Sequence, residues 1–429
     1  MHKKLYICLL TFLMFVIGNV SSQKLNIEHK FGNTSVGLDI NSLYNYNIYE
    51  HNRLGAGFDI VTPLKYDSRY GSLFQNAFMG NVYVGYGTRD EAWKYGISLG
   101  LAFPRDLFRS FVVSYQHDLT QIGSHSFNEY NLLNTSDNSS YFSSRFSGYD
   151  RISATLQIDP PGPSQITLEY SHSRERYLFD AIYLLYPAIN SDDNMPYHTF
   201  NEVNAKLYLG KHIKFSLLTN IIASQDDSWH INSNPLFEFE YLRFLSEYNN
   251  KIDFNNNHGH LSIFAQCGFL IGDNAPISRK FDLSGTGGSY YYFNNSFLTV
   301  RPNTFMSDCF ALASFRYIFG LSLWKTATSE PHPFVQLNAM WGMLTGKDNE
   351  NYSGIYYLKD TNPQKYIVLS APSEGLLEPC IGIDKLVRWG AVDVGIAAAY
   401  QITSKNSPYH IDNFWNKFAV ICVAKLILK

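Results

Sequence analysis

The chain has 429 residues, 16% of them aromatic and 17% charged, with a formal net charge of −3 at pH 7. An average soluble domain carries about 25% charged residues, so the aromatic excess and the charge deficit point to a solvent other than plain water. The near-neutral balance argues against a nucleic-acid partner.

At the N-terminus His2-Lys3-Lys4 is a basic start, Leu5–Gly18 an apolar core, and Val20-Ser21-Ser22 a set of small residues before Gln23. That order is the pattern of a secretory signal peptide, so residues 1–22 are expected to be removed, leaving 23–429 as the mature protein. Removal takes Lys3 and Lys4 and no acidic residue, which moves the formal charge from −3 to −5. No cysteine stands at the cleavage point, which disfavours a lipoprotein. Beyond the signal there is no run of roughly 18 apolar residues, so no helical span is expected.

What recurs along the rest of the chain is a period of two. In Val335–Met343 the set Val335, Leu337, Ala339, Trp341 and Met343 is apolar, while Gln336, Asn338 and Gly342 take most of the other face. Val392–Gln401 and Leu377–Asp384 repeat the alternation. Read this way, strands fall near 34–41, 51–62, 78–87, 93–102, 109–118, 150–158, 165–174, 199–209, 212–222, 236–246, 258–269, 308–318, 332–343, 377–386, 391–401 and 416–428, sixteen in all. Their length suits tilted strands crossing a bilayer, and an even count closes an antiparallel barrel with both ends on one side. The expected fold is therefore all-β: a sixteen-stranded antiparallel transmembrane β-barrel with long extracellular loops.

The connections fit. Those near 119–149, 175–198, 270–307 and 344–376 are long and follow odd-numbered strands, whereas 104–109, 160–165, 210–211 and 386–389 are short and follow even ones. Outer-membrane barrels place short turns in the periplasm and long loops outside. The turns after the second, tenth and twelfth strands read as somewhat long. Tyr291-Tyr292, Tyr356-Tyr357 and Phe414-Trp415 suit aromatic girdles at the two interfaces. A soluble β-sandwich or propeller would need fewer aromatics at its strand ends.

Cys267, Cys309, Cys380 and Cys422 remain after the signal, with no CxxC and no zinc spacing. Their even number admits one or two bridges, but each lies alone in an apolar or alternating segment and reads as a buried small hydrophobe.

Pro276-Ile277, Phe281-Asp282-Leu283-Ser284-Gly285, Gly287-Gly288, Phe305–Phe310, Phe315, Phe319-Gly320 and Leu377–Asp384 together resemble the bacterial surface antigen superfamily, the barrels of outer-membrane insertases and two-partner-secretion transporters. The nearest likeness is to an uncharacterised branch that often carries a carboxypeptidase-regulatory-like domain before the barrel. The resemblance covers about 258–402. It implies that 270–307 is the sixth extracellular loop, folded back into the barrel, where an Arg of a Val-Arg-Gly-aromatic tetrad meets an acidic residue on the wall. Here the nearest string is Val300-Arg301-Pro302, which lacks the glycine and the aromatic. The periplasmic domains that recruit client chains are also expected to be missing, because the first strand begins about a dozen residues after the cleavage site.

The segment Phe281–Tyr290 invites a phosphate-binding reading, but no lysine follows its glycines and no helical pattern continues it. No Gly-x-Ser-x-Gly elbow is present, and His258 and His260 share a strand face without a third metal ligand nearby. Ser114 and His117 are separated by an odd number, so a hydrolytic pair on the outer wall is not expected. The reading is a protein that is not an enzyme and needs no cofactor or metal. Polar residues on the lumen face are more informative: Asp308, Ser314, Arg316, Gln336, Asn338, Glu378, Asp384, Asp393 and Gln401. We expect loop 270–307 to plug the barrel, held by Arg279, Lys280 or Arg301 against Asp308 and Glu378, with Gly285, Gly287 and Gly288 letting its backbone press on the wall. The expected surroundings are outer-membrane lipid and a periplasmic or membrane protein partner. The work is expected to be outer-membrane assembly or transport, with a passive small-solute pore as the alternative.

Overall fold

The structure is a computed structural model. It describes residues 28–32, 34–38, 44–47, 49–64, 76–103, 107–123, 145–179, 197–223, 237–254, 258–272, 275, 277–283, 285, 297–300, 305–344, 356–357, 366–367, 371–389, 392–405 and 411–426. In chain order the strands are β1 (Glu28–Phe31), β2 (Thr34–Leu38), β3 (Tyr44–Asn47), β4 (His51–Pro63), β5 (Ala77–Gly87), β6 (Trp93–Ala102), β7 (Phe108–Gln121), β8 (Arg145–Ile158), β9 (Ser164–Phe179), β10 (His198–Leu209), β11 (Ile213–Ala223) and β12 (Phe237–Phe254). They continue with β13 (Gly259–Ile271), β14 (Phe281–Asp282), β15 (Met306–Ser307), β16 (Cys309–Phe319), β17 (His332–Met343), β18 (Tyr356–Tyr357), β19 (Tyr366–Ile367), β20 (Leu376–Trp389), β21 (Val392–Tyr400), β22 (Ile402–Thr403) and β23 (Phe418–Leu426).

One antiparallel sheet runs through the chain by neighbour-to-neighbour pairing, from β1 and β2 through β4 to β13, then β16, β17, β20, β21 and β23. It has nineteen strands rather than the expected sixteen. Sixteen coincide with the ranges read from alternation. The additions are β1, β3 and β22, of four, four and two residues, too short for a period of two to show. The expected closure is also missing: among the described residues no ladder joins β1 or β2 to β23. β12 runs to Phe254 instead of ending near 246, so the connection after it is short. Its extension sets Glu247, Asn249, Lys251 and Asp253 on one face against the exposed Ile252 and Phe254 on the other, and Lys214 of β11 meets Glu247 at 2.6 Å there.

The two faces of this sheet are inverted relative to a soluble protein. Phe111, Val113, Ile152, Leu168, Leu217, Phe315, Val335 and Leu337 point outward and are exposed, while Ser110, Arg151, Ser153, Glu202, Arg316, Gln336 and Asn338 point inward and are buried. Apolar residues outside and polar ones inside are what lipid around the sheet requires. Among the described residues no helix is long and apolar enough to cross a membrane. Every strand N–H and C=O in hydrocarbon needs a partner, and between neighbouring strands the ladders supply it.

Inside the sheet, large rings lie flat over cross-strand glycines. Tyr83 faces Gly96, where a Cβ would stand 2.5 Å from the ring, and Phe334 faces Gly382 at the same separation. The ring of Tyr83 is held there because its hydroxyl donates to Asp118 Oδ2 at 2.8 Å. Gly96→Val therefore has to displace the ring and break that bond, at a cost of ~1–3 kcal/mol for an overpacked core site. A urea unfolding titration of refolded protein is expected to show the loss, with Gly80→Ala, whose Cβ would meet nothing closer than 3.6 Å, as the comparison.

Candidate functional site

The described residues of the connection between β13 and β16 turn inward and meet the lumen face of the sheet from β7 to β20. It begins with a single 3-10 turn, Ile277–Arg279, followed by β14, which pairs with β15 just before β16. Backbone bonds clip this clasp to the wall: Gly123 N–H donates to Ser278 O at 3.1 Å, and Asp282 N–H to Gly123 O at 2.7 Å. Gly123 has φ +74, a left-handed turn that favours glycine. Phe281 is buried against Phe310, ring centroids 4.7 Å apart, with the Arg243 guanidinium 4.4 Å from its ring. A sheet that touches one segment along so many strands must curl around it.

Arg279 is the electrostatic centre. Its Nε donates to Glu202 Oε1 at 2.6 Å and its Nη2 to Glu175 Oε1 at 2.6 Å, while Nη1 reaches Glu175 Oε2 at 3.2 Å and Nη2 reaches Glu202 Oε2 at 3.1 Å. Each carboxylate is thus held by two donors, the geometry that a planar guanidinium fork favours. The guanidinium lies 4.4 Å from the Phe200 ring centroid, and Tyr241 adds a hydroxyl to Glu202 Oε1 at 2.5 Å. Arg279 is 4% exposed, and both carboxylates are buried on the neighbouring strands β9 and β10.

The sequence reading paired the loop cations with Asp308 and Glu378. Lys280 does meet Asp308 as a buried ion pair, but Arg279 goes to Glu175 and Glu202. Glu378 meets no loop cation among the described residues. It takes the backbone of the loop instead: Leu298 N–H donates to its Oε1 at 3.0 Å, Thr299 N–H to its Oε2 at 2.7 Å, and the Thr299 hydroxyl to Oε2 at 2.5 Å. Asn338 adds a bond to Oε1 at 2.9 Å. Arg301, Gly287 and Gly288 lie outside the described residues. Gly285 presses on its own loop rather than on the wall, since a Cβ there would stand 2.3 Å from Val300 O and 2.6 Å from Phe297 O. Glu175 and Glu202 were missed, although both fall on the lumen-facing parity near the extracellular ends of their strands. That parity was the available signal.

A second buried network caps the N-terminal half of the lumen. Arg53 holds Asp118 through Nη1 and Nη2, at 3.0 and 2.6 Å, and Glu50 through Nε. Lys94 adds Glu50 at 2.8 Å and Asp90. Further down the wall Arg316 meets Asp384 at 2.6 Å, and Arg151 meets Glu169 at 2.8 Å. Ser114 bonds Ser153 at 2.7 Å, whereas His117 lies on the other face, 2.7 Å from Asp150. Among the described residues no group of three or more His, Cys, Asp or Glu side chains could hold a metal. The four cysteines are free thiols, and only Cys380 is buried; Cys267 and Cys422 are exposed and Cys309 intermediate. The expectation of four buried thiols is corrected, because residues on the outward parity of such a sheet face lipid rather than a core.

Replacing Arg279 by Ala strands two buried carboxylates, which by analogy with broken buried pairs costs about 3–5 kcal/mol. In a urea titration the Glu175→Gln/Glu202→Gln double change made on that background is expected to recover part of the loss. Equal stability of wild type and Arg279→Ala would remove this network from the account of what holds the loop.

No family model matches the chain, and no curated protein matches it. Among solved structures it is similar to BamA from Haemophilus ducreyi lacking POTRA domains 1–3, at 9% identity and TM-score 0.45, covering 88% of this chain and 68% of that one. It is also similar to CdiB from Escherichia coli, at 9% identity and TM-score 0.40 over 92% and 64% of the two chains, and to CdiB from Acinetobacter baumannii, at 8% and 0.35 over 87% and 57%. The chain thus spans under two thirds of the CdiB chains. At these identities and TM-scores its activity has to be argued from its own geometry.

Proposed function

We propose that this chain works in the outer membrane as a plugged barrel of the insertase and transporter kind, handling polypeptide or lipid with a periplasmic or membrane protein partner, after removal of residues 1–22. It carries out no catalysis. The observation that supports this reading is the inward placement of residues 277–283 and 297–300, anchored by Arg279 to β9 and β10 and by backbone N–H groups to Glu378 of β20. A passive pore needs free polar groups along an open path. Here the wall carboxylates Glu175, Glu202, Asp308 and Glu378 are all buried and engaged by the loop.

Planar-bilayer recording tests the proposal. The purified wild type is expected to give near-zero steady conductance, and Arg279→Ala to add opening events by loosening the loop. Steady, salt-dependent conductance of the wild type would favour the small-solute pore instead. Cell fractionation with heat-modifiable gel mobility checks the placement, since a soluble protein without a mobility shift would sink it.

A further inference from the structure

We infer that the outer wall at the extracellular end of β9 is a binding site for the phosphorylated headgroup of an outer-leaflet lipid. Arg174 and Arg176 stand on the outward parity of β9, opposite in facing to the buried Ser173 and Glu175. Six other arginines, Arg53, Arg109, Arg151, Arg279, Arg316 and Arg388, lie within 2.6–3.2 Å of a carboxylate. Among the described residues neither Arg174 nor Arg176 forms an ion pair. Both guanidinium groups instead lie by the Tyr197 ring, at 4.7 and 5.8 Å from its centroid. Stacking of that kind fixes the planar fork and leaves its N–H edges open.

Their height on the wall identifies the occupant. Leu168 and Tyr170 precede them on the same outward face and are exposed, so the strand passes from aliphatic to aromatic to cationic side chains. Arg174 is four residues beyond Tyr170, about 13 Å along a strand. That order runs from hydrocarbon through the aromatic girdle to the headgroup layer. Just beneath, His172 Nδ1 lies 2.8 Å from Asn201 Oδ1. Among the described residues the outward carboxylate facing them is Asp150, across the ladder from Arg174. It is taken by His117 at 2.7 Å and by the Tyr115 hydroxyl at 3.2 Å, which leaves the two arginines for an external anion. Phosphate suits two guanidinium forks two residues apart on one strand face.

The inference rests on the membrane placement proposed above. Its test is native mass spectrometry of the full chain, folded in detergent and checked by heat-modifiable mobility. The probes are bisphosphorylated lipid A, the same lipid after dephosphorylation, and phosphatidylethanolamine. Bisphosphorylated lipid A is expected to bind, the other two to bind far less, and Arg174→Gln/Arg176→Gln to lower the bound fraction roughly tenfold, as loss of charge-assisted contacts implies. The Lys double variant is expected to keep part of the binding, and excess inorganic phosphate not to compete. Equal binding by wild type and the Gln double variant overturns the site, as does indifference to dephosphorylation. Displacement by inorganic phosphate overturns the lipid as its occupant. Should the double variant lose its mobility shift, the single change Arg174→Gln carries the same test. Loss of the shift in the wild type would instead count against the barrel.

Discussion

A guanidinium carried into the interior of a barrel has to meet counter-charge there, and Arg279 meets it on strands 104 and 77 residues away in sequence. Neither partner is local, so the contact exists only when β9 and β10 have paired and the later connection has turned inward. Buried ion pairs contribute little net stability compared with apolar packing, yet losing one side is expensive. The Arg279 cluster is therefore better understood as a device that specifies where the loop sits. Packing follows from that position: Phe281 reaches Phe310 and Arg243 only because the preceding residue pair is docked.

The same logic governs the rest of the lumen. Arg53 and Lys94 hold Glu50, Asp90 and Asp118 at the extracellular side of β4 to β7, and Arg316 holds Asp384 further round the wall. Glu378 shows a second solution, in which a buried carboxylate is satisfied by backbone N–H groups. Charge-assisted bonds of this type are short and directional, so they fix the loop backbone without a cation. An interior organised in this way favours a held plug over a watery channel.

The outer surface obeys the opposite rule. Hydrocarbon accepts Phe111, Leu168 and Val335 but no unpaired charge, so cations on that face belong at the headgroup level. Arg174 and Arg176 stand at the height of Glu175, the β9 partner of Arg279, but on the opposite parity, and that difference of facing is enough to separate a lipid contact from a plug contact. Glu175, lying between them, faces the other way and serves the lumen.

Alternation alone located the sixteen principal strands, because a sheet between lipid and a polar interior imposes a period of two on every one of them. It also placed Asn338, Glu378 and Asp384 on the inner face, and Ser114 and His117 on opposite faces. Short strands such as β3 carried too few residues to show a period, and in the extension of β12 Asn250 interrupts the outward face before Ile252 and Phe254. Which charges meet was a different kind of question. The sequence offered Arg279, Lys280 or Arg301 against Asp308 and Glu378 without a pairing, and nothing in the spacing of residues 175, 202 and 279 joins them. Composition and period determined that this chain forms a lipid-facing sheet with a polar inside. Tertiary structure decided that Arg279 chooses Glu175 and Glu202, and that Glu378 takes backbone instead of a cation, because ion-pair partners depend on the curvature of the sheet and the path of the loop, which local sequence does not encode.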